Sequence, residues 1–533
     1  MAGESAAYAE ASKKWKATAK VVLGCEVGEL NWYAEWLGRI RTWRAAKKSS
    51  ISGKDVVFGR FDYPQGAAFI SLDEVDYTKK GKPISPSSLQ GIDPIISAVS
   101  GSIAYAGNIV LGKSQFVEQC SNMVDCNYAY HSDRCTHSKY LAYCSQVARS
   151  DNIFGSDGIG GSSFCLRPSS CMYCSRCFEI SKCEHCSDCY YSHGLSGCSD
   201  CMFCFNLRSA HHCIGNLQLS PEKYRAIKAR LLSEMGAMLS QSHKLPTLLE
   251  LLSSQKPDYS RLKPAASGMR FPAAKKADKK PIEDAFSKTA GIVLGRKLTG
   301  VDKYLPWLSQ HTNPAEKIPS CLSGKPLLLP DHTHFSWFPL DRLLSLEEAE
   351  YVGERLKLSE AEAEGISIAN AAKTVSPIGY LSPEWQMGIS RDNLECKVEI
   401  DSTNCYSGTL PINSKYCSGF YWVRESEHIF GGNEVRASAF CMRCYRSERL
   451  QRCFEVDSSS DCSDCYFCHN CENVHDSMFC FNAKNLKNAV GNMQLPREEY
   501  LRVKARVLAE INAHLDKTNS VPYSILSLAA RKK

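Results

Sequence analysis

The stretch SDCYYSHGLSGCSDCMFCFN, residues 187–206, contains the triplet Ser-Asp-Cys twice, which sets Cys189 and Cys201 twelve residues apart. The spacing extends in both directions along one row of cysteines, namely Cys165, Cys177, Cys189, Cys201 and Cys213. All cysteine spacings within 120–213, and again within 396–480, are multiples of three. Such a pattern matches neither the 3.6-residue period of an α-helix nor the two-residue alternation of a long strand.

The twelve-residue period predicts a narrow β-solenoid in which each coil holds two very short strands and two tight corners. Coils of this kind stack at the strand spacing of about 4.8 Å. So narrow an interior admits small or slim side chains. Cysteine acts there as a small hydrophobe, and serine can hydrogen-bond to the corner backbone.

A second set of matches relates the two halves of the chain. CMFCFNLRSAHHCIGNLQLSPEKYRAIKARLLSEM (201–235) matches SMFCFNAKNLKNAVGNMQLPREEYLRVKARVLAEI (477–511) at an offset of 276, and TAKVVLGCEVGELNWYAEWL (18–37) matches TAGIVLGRKLTGVDKYLPWL (289–308) at an offset of 271. We therefore predict a mainly β fold with two tandem-duplicated solenoids. Each solenoid is expected to have a flanking N-terminal cap region and a C-terminal α-helix.

The predicted boundaries follow these matches. Ser220 and Pro221 supply an N-cap and a first-turn proline for the helix after the first solenoid. The expected segments are a cap region of helix and short strands (1–98), solenoid 1 (99–219), a capping helix (220–240), a linker (241–283), a second cap region (284–390), solenoid 2 (391–495), and a C-terminal helix and tail (496–533).

The coils CLRPSSCMYCSR (165–176) and CFEISKCEHCSD (177–188) resemble the twelve-residue coil of insect β-helical antifreeze proteins. The resemblance concerns coil geometry alone, since this chain has no threonine ladder. The FCFN…CIGN ending of the first half also resembles a segment of uncharacterised cysteine-rich proteins from uncultured bacteria and archaea. Neither resemblance implies an activity.

Composition restricts the setting in which the cysteines must be explained. The 533 residues include 28 cysteines and carry a net charge of +7. No apolar run reaches the roughly 18 residues of a membrane helix, and the N-terminus lacks a secretory signal layout. We expect a cytoplasmic protein without membrane contact, where dense disulfides are unusual.

The CxxC pairs suggest a zinc or iron–sulfur site. The two halves differ at these positions, however: Cys183 matches Ser459, and Cys201 matches Ser477. Serine replaces a packed thiol easily but a metal-bound thiolate poorly, which favours packing and no cofactor. Metal binding stays an alternative, and its candidate ligands are Cys186, Cys189, Cys462, Cys465, Cys468 and Cys471.

Large apolar residues follow the row cysteines and predict an outward stripe along one flank of each half. A stripe of this length exceeds the apolar patch that a monomer normally exposes, so something must cover it. The cover is either intramolecular, from the caps, the helices or the other half, or a partner or second copy. The stripe consists of Phe178, Tyr190, Met202, Phe454, Tyr466 and Met478.

No Ser/His/Asp or Cys/His grouping recurs in both halves, so the sequence gives no support for nucleophilic catalysis. We expect a non-catalytic scaffold that mediates protein–protein interaction or self-assembly. One alternative is a zinc or iron–sulfur protein. Another is a nucleic-acid-associated factor that uses the basic segments AAKKADKK (273–280) and RKK (531–533).

Overall fold

The computed structural model describes residues 5–39, 45–58, 63–64, 66–78, 81–270, 278–331, 335–396 and 398–531. It shows that the predicted mainly β fold class is wrong. Helices account for 30% and strands for 31%, so the protein is mixed α/β. The cysteine period misled the prediction because it reports only on 99–219 and 391–495, whereas most helices lie in the segments outside those ranges.

The α-helices of the described chain carry much of the apolar core. Ser220 caps the fourth by accepting the backbone N–H of Lys223, which confirms the predicted N-cap. No helix among the described residues is long and apolar enough to cross a membrane. The α-helices are α1 (Ala6–Leu23), α2 (Ala34–Gly38), α3 (Ile92–Val99), α4 (Pro221–Ser242), α5 (Leu248–Ser253), α6 (Tyr259–Ala265), α7 (Lys280–Leu294), α8 (Val301–Leu308), α9 (Leu346–Gly353), α10 (Glu360–Glu364), α11 (Ala371–Val375) and α12 (Arg497–Thr518).

Most strands are only two to four residues long. The strands are β1 (Ala45–Lys48), β2 (Asp55–Phe58), β3 (Ala68–Ser71), β4 (Ala104–Gly107), β5 (Val110–Leu111), β6 (Gln115–Glu118), β7 (Met123–Val124), β8 (Asn127–Tyr130), β9 (Lys139–Ala148), β10 (Asp151–Gly160), β11 (Ser163–Leu166), β12 (Ser169–Met172), β13 (Phe178–Ser181), β14 (Ser187–His193), β15 (Ser199–Met202), β16 (His211–Ile214), β17 (Leu217–Gln218), β18 (Glu316–Pro319), β19 (Pro326–Leu329), β20 (Trp385–Met387), β21 (Val398–Ile400), β22 (Thr409–Ile412), β23 (Tyr421–Arg424), β24 (Glu427–Phe430), β25 (Ala439–Met442), β26 (Phe454–Asp457), β27 (Ser463–Glu472), β28 (His475–Met478), β29 (Phe481–Lys484), β30 (Lys487–Val490) and β31 (Met493–Gln494).

These strands form several separate sheets, and the structure therefore does not show two tandem β-solenoids or a β-helix repeat protein. The first half contributes one 11-stranded sheet, whereas the second half is divided between a 4-stranded sheet, β20 to β23, and an 8-stranded sheet, β24 to β31. Pairs of strands elsewhere make two-stranded sheets. Within the large sheets, parallel neighbours pair at an offset of twelve residues, as in Ile153 with Cys165 and Cys189 with Cys201.

Left-handed backbone at every third residue keeps the strands short. Asn122, Asp125 and Tyr128, for example, have φ of 55°, 52° and 55°. Non-glycine residues seldom adopt positive φ, because their Cβ atom then crowds the backbone. The conformation recurs through both halves, so other interactions must compensate for its cost.

Buried serines supply one such interaction. Ser150 Oγ donates to the carbonyl of Ala148 at 2.8 Å and accepts the N–H of Ser162 at 3.0 Å. The hydroxyl of Ser162 repeats the arrangement with Gly160 and Cys174. Each hydroxyl thus joins a carbonyl two residues back to an N–H twelve residues ahead. A corresponding row in the second half contains Ser402, Ser414, Ser426 and Ser438.

Each half is covered partly by chain from the other half. Residues of β2, β3, β4 and α3 share a hydrophobic cluster with the second-half strands and α12. Conversely, residues from 318 to 381 join the cluster of the first half. Asn206 Nδ2 donates to Tyr380 O at 2.9 Å, and Asn482 Nδ2 donates to Ala104 O at 2.9 Å. The later part of each cap region is therefore exchanged between the halves, whereas α1 and α2 stay with the first half and α7 and α8 with the second.

The predicted linker, 241–283, is partly built into the core. It contains α5 and α6, where Leu252 and Leu262 are buried in the first-half cluster. Residues 271–277, which include most of the basic run AAKKADKK, lie outside the described residues, as do Lys532 and Lys533 of the C-terminal RKK.

The serine row predicts a specific loss of stability. Ser150→Ala removes the acceptor of a buried N–H and should lower the free energy of unfolding by about 1–3 kcal/mol. Ser150→Cys should lose less, because a thiol accepts the corresponding bond where Ser132 N donates to Cys120 Sγ. Urea unfolding followed by circular dichroism measures both changes.

The control is Ser233→Ala, a change of the same kind at an exposed position of α4. It should alter the stability by no more than about 0.5 kcal/mol. Equal stabilities for Ser150→Ala and Ser233→Ala would contradict the role assigned to the hydroxyl row.

Candidate functional site

The six candidate metal ligands are buried, and their sulfur atoms are donors to the backbone. Cys189 Sγ lies 3.3 Å from the carbonyl of Ser187 and 3.7 Å from that of Cys198. Cys465 Sγ makes the same two kinds of contact. In the other four candidates, Sγ likewise contacts the carbonyl two residues before it and the carbonyl nine residues after it. These are Cys186, Cys462, Cys468 and Cys471.

This arrangement lets thiols fill the interior while each S–H group finds a carbonyl acceptor. All 28 cysteines are free thiols. Among the described residues, no group of three or more His, Cys, Asp or Glu side chains is placed to hold a metal ion. Burial raises the pKa of Cys126 and of Cys144 to about 11, which favours the protonated thiol that donates these bonds.

The apolar stripe is covered from within. All six of its residues belong to the two main hydrophobic clusters: Phe178, Tyr190 and Met202 to the first, and Phe454, Tyr466 and Met478 to the second. Tyr190 Oη donates to the carbonyl of Val22 in α1 at 2.8 Å, and Tyr466 Oη donates to that of Val293 in α7 at 2.7 Å. Lys228 of α4 and Lys504 of α12 lie over the two tyrosine rings. Of the two covers considered for the stripe, intramolecular packing or a partner, the structure shows intramolecular packing.

Two adjoining cavities between the halves form a site that the sequence did not reveal. The first, of about 110 Å³, lies between residues 109–136 of the first half and 422–484 of the second. The second, of about 240 Å³, lies chiefly between 136–173 and 385–436. Residues 109–136 face 422–484, and the later residues 136–173 face the earlier residues 385–436. The two halves therefore run in opposite directions along this junction. Both cavities are lined by Thr136, Trp422, Arg424 and Arg436.

A buried ion pair joins the halves beside the first cavity. Arg134 Nη1 lies 2.9 Å from Glu434 Oε1, and Arg134 Nε lies 2.8 Å from Asp133 Oδ2. Burial alone would raise the pKa of Glu434, but the nearby guanidinium groups of Arg446 and Arg134 lower it to about 2. Glu434 is therefore a carboxylate at neutral pH, and its negative charge is already paired with Arg134.

Arg424 has no such partner. Its guanidinium lies 4.3 Å from the ring centre of Trp422, and its Nε is buried without a hydrogen-bond partner. No carboxylate of the described chain forms an ion pair with it. Burial, followed by repulsion from Arg436, lowers the pKa of Arg424 to about 10, although the nearby carboxylates of Glu434, Glu425 and Glu448 act in the opposite direction. The side chain thus remains charged near neutral pH but lies in an environment that disfavours its charge.

The charges around the first cavity are unequal. Its carboxylates are engaged: Glu448 lies within ion-pair distance of Arg436 and Arg449, and Glu472 lies 2.7 Å from Lys484. Among the described residues, five cationic side chains line the cavity against three carboxylates. The cationic residues are Arg134, Arg424, Arg436, Arg446 and Lys484, and the anionic ones are Glu434, Glu448 and Glu472.

The second cavity differs from the first in having an apolar wall. Met172 of the first half packs there against a small cluster of second-half residues. That wall consists of Trp385, Met387, Ile400, Leu410 and Ile412. Together the two spaces place a cationic pocket beside an apolar one, and Arg424 lies in the wall that they share.

Sequence reasoning missed this site because it depends on pairing between the halves. One signal was present: Arg424 and Arg436 are twelve residues apart, as are Glu434 and Arg446. At a twelve-residue register these side chains become neighbours on one face. The sequence did not indicate which face of the first half would meet them.

Comparison with known proteins adds no relative to this picture. No protein-family model, no curated protein and no solved structure matches the chain. The site must therefore be interpreted from its own geometry.

Burial of the thiols predicts their reactivity. Cys25 and Cys321 are partly exposed, while the other 26 cysteines are buried. At pH 8, labelling of the native protein with 5,5′-dithiobis(2-nitrobenzoic acid) should modify at most two thiols, and these should react slowly because burial raises the pKa of both. Labelling in guanidinium chloride should modify all 28.

The double variant Cys25→Ser with Cys321→Ser should lose the native labelling and keep the same melting temperature within a few degrees. Rapid native labelling of many thiols would show that the interior cysteines are accessible, which contradicts the buried rows.

Proposed function

We propose that the chain is a binding protein that holds a small anionic ligand with an apolar body in the two cavities between its halves. The observation that carries the proposal is the Arg424 guanidinium, whose buried Nε lacks a hydrogen-bond partner. Arg424 is partly buried and makes no direct ion pair among the described residues, so an anion that pairs with it gains an interaction that the described chain does not supply.

The local geometry favours a carboxylate or phosphate as the anionic group. A guanidinium presents several N–H donors in one plane, which matches two oxygens of such a group. Trp422 supports the guanidinium from its face, so that its edge is left for the ligand. Arg436 lies on the same wall but is already paired with Glu425 and Glu448, so Arg424 is the cation that a ligand anion would meet.

The neighbouring apolar wall suggests the rest of the ligand. An apolar chain that extends from the carboxylate would contact Met172, Trp385 and Ile400 in the second cavity. Ligand sites commonly combine a mostly apolar lining with a few polar groups that fix orientation. A medium-chain fatty carboxylate is the simplest compound with both features.

The functions expected from the sequence stay predictions. A scaffold or assembly role would have to use surfaces other than the apolar stripe, because helices of the same chain cover that stripe. The nucleic-acid alternative relies on basic segments that lie largely outside the described residues. The metal alternative relies on thiols that point to backbone carbonyls.

Titration with octanoate in a calorimeter tests the proposal. Octanoate should bind to the wild-type protein, and Arg424→Gln should weaken binding by about ten- to a hundred-fold, the range for a hydrogen bond to a charged group. 1-Octanol, which has the same tail without the charge, should bind the wild type more weakly than octanoate does.

The matched control is Arg452→Gln, which removes an arginine that pairs with Asp464 and is 42% exposed. This variant should bind octanoate as the wild type does. Arg424→Gln should also keep or raise the melting temperature without ligand, since it removes a partly buried charge that makes no direct ion pair. No octanoate binding by the wild type, or equal binding by Arg424→Gln, would contradict the proposed function.

A further inference from the structure

A third cavity, of about 280 Å³, lies within the first half, away from the junction. It is bounded by strands β12 and β13 on one side and by α5 on the other. Ile180, Leu248 and Leu249 provide apolar surface, and Trp337 lies at its edge with 52% of its surface exposed. Ser169, Arg167 and Glu179 supply the polar groups.

The ion pair at the base of this cavity has a counterpart in the second half. Arg167 pairs with Glu179 and donates to the carbonyl of Trp36. At the matching positions, Arg443 pairs with Glu455 and donates to the carbonyl of Trp307. The same chemical environment therefore occurs twice in the molecule.

The two environments differ at one matching position. The second half has Tyr445, which is fully buried, and its hydroxyl lies 3.4 Å from Glu455 Oε1. The first half has Ser169 at the position 276 residues earlier. Ser169 is 1% exposed, its Oγ has no hydrogen-bond partner, and it borders the open space. An aromatic side chain thus occupies in one half the place that the other half leaves open.

We propose that the first-half cavity binds a small phenol, which takes the place that the Tyr445 side chain occupies in the second half. The volume is sufficient, because a cavity of about 150 Å³ can hold benzene. The phenol ring would lie against Leu248 and Leu249, and its hydroxyl would donate to Glu179 Oε1. Ser169 Oγ, otherwise unsatisfied, would hydrogen-bond to the phenol oxygen.

This site is separate from the proposed anion site. None of its lining residues borders the two cavities at the junction. Arg39, at the mouth, is paired with Glu250 at 2.8 Å, so among the described lining residues no arginine is left unpaired to select an anion. A neutral phenol suits both the apolar wall and the two polar groups at its base.

Calorimetric titration with phenol and with toluene gives the first test. Phenol should bind the wild type at one site, and toluene should bind about ten- to a hundred-fold more weakly, because it cannot donate to the Glu179 carboxylate. Ser169→Tyr, which copies the second half, should abolish phenol binding. Ser233→Tyr, on the exposed face of α4, should leave phenol binding unchanged.

A crystal soaked with 4-bromophenol gives a second test that needs no variant. Anomalous scattering should place the bromine in the cavity, with the phenol oxygen near Ser169 and Glu179. Absence of bromine there, equal affinity for phenol and toluene, or undiminished binding by a folded Ser169→Tyr protein would overturn the proposal.

Discussion

The structure depends on hydrogen bonds that small polar side chains make to the backbone at a fixed offset. A serine hydroxyl or a cysteine thiol donates to the carbonyl two residues before it, as Ser150 and Cys189 do. The serine also accepts the N–H twelve residues ahead. Without the serine, the N–H that donates to its hydroxyl would lose its acceptor inside the protein, whereas the carbonyl of Ala148 also accepts the N–H of Gly161. Serine and cysteine are short enough to do this in so small a space.

The second constraint is that each half supplies part of the cover of the other. Asn206 reaches the carbonyl of Tyr380, and Asn482 reaches that of Ala104, so cap segments and strands are tied across the molecule. The exchange brings the flanks of the halves together in opposite directions. Arg134 and Glu434 meet there, and the cavities around Arg424 lie beside them. The candidate site therefore exists only when both halves are in place.

The sequence predicted local features well and their assembly poorly. The N-cap at Ser220 and the burial of thiols such as Cys189 follow from residue type and spacing, which act over short distances along the chain. The fold class was wrong because helices such as α9 and α11 have no part in the cysteine period. Arg424 could not be recognised as unpaired, because its surroundings come from residues far apart in sequence.

Exchange of the cap segments also limits how the chain can be divided. A cut between the halves would separate strands β2 to β4 from the apolar surface that they shelter, and residues 318–381 from theirs. Each fragment would keep the cap segment that covers the other half, and its own aromatic residues would be exposed to water. The sequence halves of this protein are thus not independent folding units. Truncation at the midpoint would yield two fragments with exposed apolar surface, which would aggregate unless they reassociated.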